Sequence, residues 1–139
     1  MEPLRTRLAA FCRTHQVEAL YAFGSRASQA RAALEGPAGD VPSSDSDLDV
    51  GAKVLRGSRP DVREKSLMAV ELEELFAVSR VDLVLLNEAD PFLAANIIRG
   101  ERIFSVDDHA ADEYELYVLR RAGDCAPLER ERLSLLEES

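Results

Sequence analysis

The chain contains no tryptophan, two cysteines, two histidines and no long uncharged apolar run. The missing run excludes a membrane-spanning helix, which needs roughly 20 consecutive apolar residues. Cys12 and Cys125 could pair, but they are far apart in sequence and make no disulfide framework. Free, buried thiols in a reducing compartment are expected instead. His15 and His109 have no cysteine or second histidine at ligand spacing, which argues against zinc and leaves both as partly exposed helix-end residues. Basic residues are the minority, 17 Lys and Arg against 26 Asp and Glu, for a net charge of −9. A general nucleic-acid binder needs a basic stripe, and this chain has none. The acidity gathers in residues 107–139, with ten acidic and four basic side chains, which favours a basic protein partner for that part. The start, Met-Glu-Pro-Leu-Arg, runs into an amphipathic pattern without the apolar core of a signal peptide. A cytoplasmic protein is expected.

What is present is enough for one domain with a real core: 139 residues, 46% apolar and 31% charged. Leu4, Leu8, Phe11 and Cys12 share a helical face, so residues 3–15 read as a helix. Val17 to Phe23 is apolar and aromatic and ends at Gly24, as a strand does; Ser25 is placed to cap a short helix through Ala33. Residues 34–46 are rich in Gly, Pro, Ser and Asp and read as a loop. Leu48 to Leu55 is the second strand. Ser58 and Pro60 open a helix whose apolar positions are Met68, Leu72, Leu75 and Phe76. Val81 to Leu86 is a third strand, its apolar run suggesting cover on both faces. Asp90-Pro91 starts a helix closed by Gly100, and Arg102 to Val106 is a short edge strand. Two last helices, 108–122 and 126–138, are separated near Gly123 and Pro127. The sum is an α/β domain of the α+β kind, with a small mixed sheet flanked by helices and a C-terminal helical tail. Its parts are a domain over 1–106 and a helical extension over 107–139 packed on it.

Chemistry concentrates at three places. Gly24-Ser25 follows a strand and leads into a helix, where backbone N–H groups and a hydroxyl can meet an anion. Arg26 could reach a phosphate or merely face water. Asp47 and Asp49 alternate at the start of a strand and so leave one face, where they can hold a divalent cation. Asp82 interrupts the apolar face it shares with Val84 and Leu86, so if buried it needs a cation or donors; the rival readings are the exposed end of an edge strand, or a pair with an arginine such as Arg80 or Arg102. A calcium loop over Asp45, Asp47 and Asp49 fails, because Gly51 is one position late and Arg56 stands where the closing Glu belongs. Asp45-Ser46-Asp47 is a second Asp-x-Asp. Asp47/Asp49 is preferred, since Leu48 and Val50 then face the core.

Taken together, Tyr21-Ala22-Phe23-Gly24-Ser25-Arg26-Ala27, Ser46-Asp47-Leu48-Asp49-Val50 and Val81-Asp82-Leu83-Val84 resemble the polymerase-beta-type nucleotidyltransferases, in particular the minimal ones of bacteria and archaea. Residues 92–104 are similar to the helix and edge strand of that family. The ending through Tyr117-Val118-Leu119-Arg120 and Pro127-Leu128 resembles members paired with HEPN-domain toxins. The resemblance implies a nucleotidyltransferase fold, with Gly24 and Ser25, and Arg26 beside them, binding the nucleotide's phosphates. It implies magnesium at Asp47, Asp49 and Asp82, as a two-metal site with ions about 3.5–4 Å apart, and ATP as donor. Asp82 could also accept the proton of the attacking hydroxyl. One departure is the 21 residues between Ser25 and Asp47, more than relatives usually have; the surplus could form a lid, select the acceptor or block the site.

The function implied is transfer of a nucleoside monophosphate, AMP from ATP, to a hydroxyl of a partner protein. The chain would then be the antitoxin of a toxin–antitoxin pair. The alternatives are an idle antitoxin that acts by occlusion and, behind it, an aminoglycoside-type enzyme lacking the usual larger acceptor domain. A homo-oligomer could supply that missing surface.

Overall fold

The computed structural model describes residues 2–35 and 47–138, and within the last helix the side chains of 128–134 and 136–138 are not described. Helix α1 (Leu4–Thr14) buries Leu4, Leu8, Phe11 and Cys12, the face its spacing predicted. A left-handed residue, Gln16, turns the chain into strand β1 (Val17–Phe23). A 3₁₀ turn (Gly24–Arg26) leads into α2 (Ala27–Glu35), so Ser25 lies inside the turn and is not the helix cap expected of it. Helical structure also reaches Glu35, beyond the expected loop start at residue 34; the rest of that loop, 36–46, lies outside the described residues.

Strand β2 (Leu48–Val54) follows, then α3 (Val62–Phe76), whose cap is Asp61. Its Oδ1 accepts the Glu64 N–H at 2.8 Å, so the helix begins later than the Ser58–Pro60 opening read from sequence. Met68, Leu72 and Phe76 are fully buried as expected. Strand β3 (Val81–Leu85) ends in a 3₁₀ turn at Leu86–Glu88, where the Asn87 amide donates to the Val54 carbonyl and accepts its N–H, prolonging β2 by side-chain mimicry. Helix α4 (Pro91–Ile98), capped by Asp90, and strand β4 (Glu101–Ser105) match expectation closely. The end does not: α5 (Asp108–Glu138) is one helix, with Pro127 inside it. A proline costs the helix one backbone bond, and the good helix formers Leu128 to Arg132 beyond it continue the turn.

The sheet order is β3-β2-β1-β4, with β1 antiparallel to β2 and β4, and β2 parallel to β3. The sheet is therefore mixed, and β1 is buried on both faces. Leu20, Ala22, Val50 and Ala52 meet α1, α2 and α3 on one side; Ala19, Tyr21 and Phe23 meet α4 and α5 on the other. Gly51 has no side chain because Ile97 of α4 packs where a Cβ would stand. β3 is an edge strand with Leu83 and Val84 only half-buried, not one covered on both faces. A lone apolar run cannot show which neighbour a strand lacks. His15 also departs from expectation: it is buried, its Nε2 2.7 Å from Glu71 Oε2 and its Nδ1 3.5 Å from Glu64 Oε1.

Candidate active site

Strand register assembles the site. Phe23 of β1 stands opposite Asp49 of β2, and Asp49 stands opposite Asp82 of β3. The chain leaves β1 at Gly24, whose φ of +75° favours glycine, and a Cβ there would run into the Asp49 carboxylate. The Gly24-Ser25 turn is exposed and lies directly against the middle carboxylate of the row. Gly100 supports it from behind: a side chain at that position would collide with the Ala22 carbonyl and with Phe23. The resemblance had placed Gly100 in a helix-and-strand segment, without this contact.

Electrostatics links the three aspartates. The carboxyl of Asp49 is pushed above the ordinary range by partial burial, then by the negative charges of Asp82 and Asp47. Asp82 is exposed on its edge strand, the alternative the sequence left open, so the burial cost that argued for a cation does not apply. Its arginine rival is elsewhere: Arg80 Nε lies 3.5 Å from Asp47 Oδ2, not beside Asp82, while Arg102 is held by Asp112 and Glu115. Arg26 is buried, its Nε donating to Gln29 Oε1 at 3.0 Å, rather than facing water. Leu48 and Val50 are fully buried, as the preferred Asp47/Asp49 register requires; Asp45 lies outside the described residues.

The donors are all carboxylate oxygens, the hard ligands that suit magnesium. Their mutual repulsion at Asp49 is what a divalent cation would relieve, and in that respect the residues fit the ion. Among the described residues, however, no group of three His, Cys, Asp or Glu side chains is drawn together tightly enough to hold a metal. The carboxylates sense one another without forming a closed chelate. No zinc-type group appears among them either. A separate cavity of about 390 Å³, lined by Cys12, Val17, Ala19, Lys53, Val106 and Tyr114 among others, lies at the other end of β1 and shares no residue with the carboxylate row.

The structure thus sets a row of carboxylates beside an exposed glycine turn on a small mixed sheet. Residues 6–109 match the family model described as polymerase beta, nucleotidyltransferase, and the chain belongs to that family. The match spans the turn and all three aspartates, and stops at the start of α5. Among solved structures, a chain of a toxin–antitoxin complex with AMP-PNP superposes at a TM-score of 0.66 and 18% identity, covering 96% of each chain. The MntA–HepT toxin–antitoxin complex gives 0.62 and 17%, covering 97% of this chain and 95% of that one. A complex of tri-AMPylated Shewanella oneidensis HEPN toxin with MNT antitoxin gives 0.62 and 17%, covering 97% and 94%. At these identities the likeness is one of fold, and it confirms the mixed α+β architecture. No curated protein sequence matches.

Proposed function

We propose that this chain transfers AMP from ATP to a hydroxyl of a partner protein, and that it serves as the antitoxin to a HEPN-type toxin. The observation that carries the chemistry is the register row Asp49–Asp82 set against the Gly24-Ser25 turn. Family membership supports the reaction class. The partner is supported by the fold likeness to complexes described as toxin–antitoxin, one with AMP-PNP and one with an AMPylated HEPN toxin.

Gly24 and Ser25 receive the triphosphate through a backbone N–H and a hydroxyl on their exposed turn. Asp47 and Asp49 are the residues that would hold magnesium, with Asp82 completing the set. Magnesium, when bound, neutralises triphosphate charge and stabilises the leaving oxygen. The acceptor oxygen bonds to the α-phosphorus as the bond to the bridging oxygen breaks, and pyrophosphate departs. Asp82, exposed at the sheet edge, takes the acceptor's proton.

The Asp47–Arg80 ion pair favours a second reading, an idle site on an antitoxin that works by occlusion. Label transfer separates the two. With ATP labelled at the α-phosphate, magnesium and the protein encoded beside this gene, label is expected on the partner and absent with Asp47→Ala/Asp49→Ala. An unlabelled partner that still binds tightly, with or without the double substitution, would establish occlusion instead.

A further inference from the structure

Arg80 immediately precedes β3, and its carbonyl accepts the Leu48 N–H at 3.1 Å. That bond pins the base of the arginine to the start of β2, one residue beyond Asp47. Its Nε stands 3.5 Å from Asp47 Oδ2. Asp47 therefore already has a counter-ion, while Asp49 carries the repulsion of both its neighbours. Asp47 also belongs to a carboxylate set that, among the described residues, is not drawn together round one point.

From this geometry we infer that Arg80 is a positioning residue, which holds Asp47 and competes with the divalent cation for its carboxylate. The inference rests on the metal-site reading given above. The strength of the pair suits such a role. Arg80 is 72% exposed and Asp47 40%, so the contact is solvent-screened and yields readily. A buried pair would keep the site shut; an exposed one lowers the apparent affinity for the cation without abolishing binding. Released, the guanidinium remains two residues from Asp82, at the open edge of the sheet.

The test is cation binding by the full chain without nucleotide, using Mn²⁺ as the probe and reading bound ion by electron paramagnetic resonance. Arg80→Ala is expected to tighten Mn²⁺ binding by up to about fivefold, the ceiling an exposed ion pair sets. Removing any positive charge near a cation site tightens it somewhat, so the decisive step is a cycle with Asp47→Asn. If Arg80 acts through Asp47, then Arg80→Ala adds nothing once Asp47→Asn is present. An equal gain in both backgrounds would mean a diffuse field and would sink the inference, as would unchanged affinity in Arg80→Ala. Those two results leave the metal site itself standing. If neither the native chain nor Arg80→Ala binds Mn²⁺, the metal-site reading fails and this inference falls with it. Because the readout is bound ion, it does not depend on knowing the acceptor.

Discussion

At the scale of single residues, the site stores a conflict between stability and chemistry. The charged form of Asp49 comes at a cost, because burial and the negative charges of Asp82 and Asp47 raise its carboxyl above the ordinary value. The folded state then binds that proton more tightly than the unfolded chain does. Stability from this group accordingly falls as pH rises from the ordinary carboxyl range through the raised value, and the cost persists above it. Asp49→Asn is expected to raise the melting temperature at pH 7, to lose that advantage in acid, and to abolish nucleotide transfer; melting curves across pH would show it. Gly24→Ala works in the opposite direction. It forces a side chain into left-handed backbone and onto the Asp49 carboxylate, so a loss of about 1–3 kcal/mol is expected on chemical denaturation. Cys12 gives a third check: burial pushes its thiol up to about 12, so an aromatic disulfide reagent should label the half-buried Cys125 in the native protein and reach Cys12 only on unfolding. The sequence led to the exposed turn after β1 and to the Asp47/Asp49 register, because a Gly-Ser break after an apolar strand and an alternating pair at a strand start are local signals; it misjudged Ser25 as a cap and weighed Asp82 as a burial problem. The burial of Arg26 and the Asp47–Arg80 pair were not legible, since both depend on what packs beside them.

At the scale of elements, periodicity named every helix face that it was asked about, and it failed where structure is non-local. Nothing within Val81–Leu86 says that its strand has a neighbour on one side only. Likewise, Pro127 reads as a break by propensity, yet the helix runs through it. The packing of the C-terminal extension was expected, but not the polar cluster that joins the buried Val118 and Ala122 in holding α5. Tyr21, wholly buried on the central strand, donates to Glu115 at 2.8 Å, and Arg102 donates to both Glu115 and Asp112. Arg102→Ala leaves three carboxylates of α5, those of Asp108, Asp112 and Glu115, without their cation and is expected to cost about 1–3 kcal/mol. Hydrogen exchange should then accelerate in the first turns of α5 ahead of β1. Uniform acceleration would mean instead that α5 and the sheet open as one unit.

At the scale of the whole molecule, two helical layers clamp a four-stranded sheet, and among the described residues no helix is long and apolar enough to cross a membrane. The fold was readable as a class because the family motif and the order of elements agreed. The sheet's strand order and the face given to each helix had to come from packing. If the carboxylate row takes up magnesium, binding must stabilise the entire domain. At ten times the dissociation constant the gain is about 1.4 kcal/mol. A rise in melting temperature with added magnesium is expected for the native chain, and none for Asp47→Asn/Asp49→Asn.

The position of Asp82 has one more implication. It lies on the outermost strand of the sheet and is itself exposed, so among the described residues the row of carboxylates opens sideways at a margin of the sheet. A cleft admits only what can enter it, and thereby selects small molecules by volume. A margin sets no such limit on bulk: a reactive group still attached to a folded macromolecule can be brought alongside as two convex bodies touch. Selectivity then has to come from the surfaces that meet around the point of contact, and it would be lost if those surfaces were altered while the reacting groups stayed untouched.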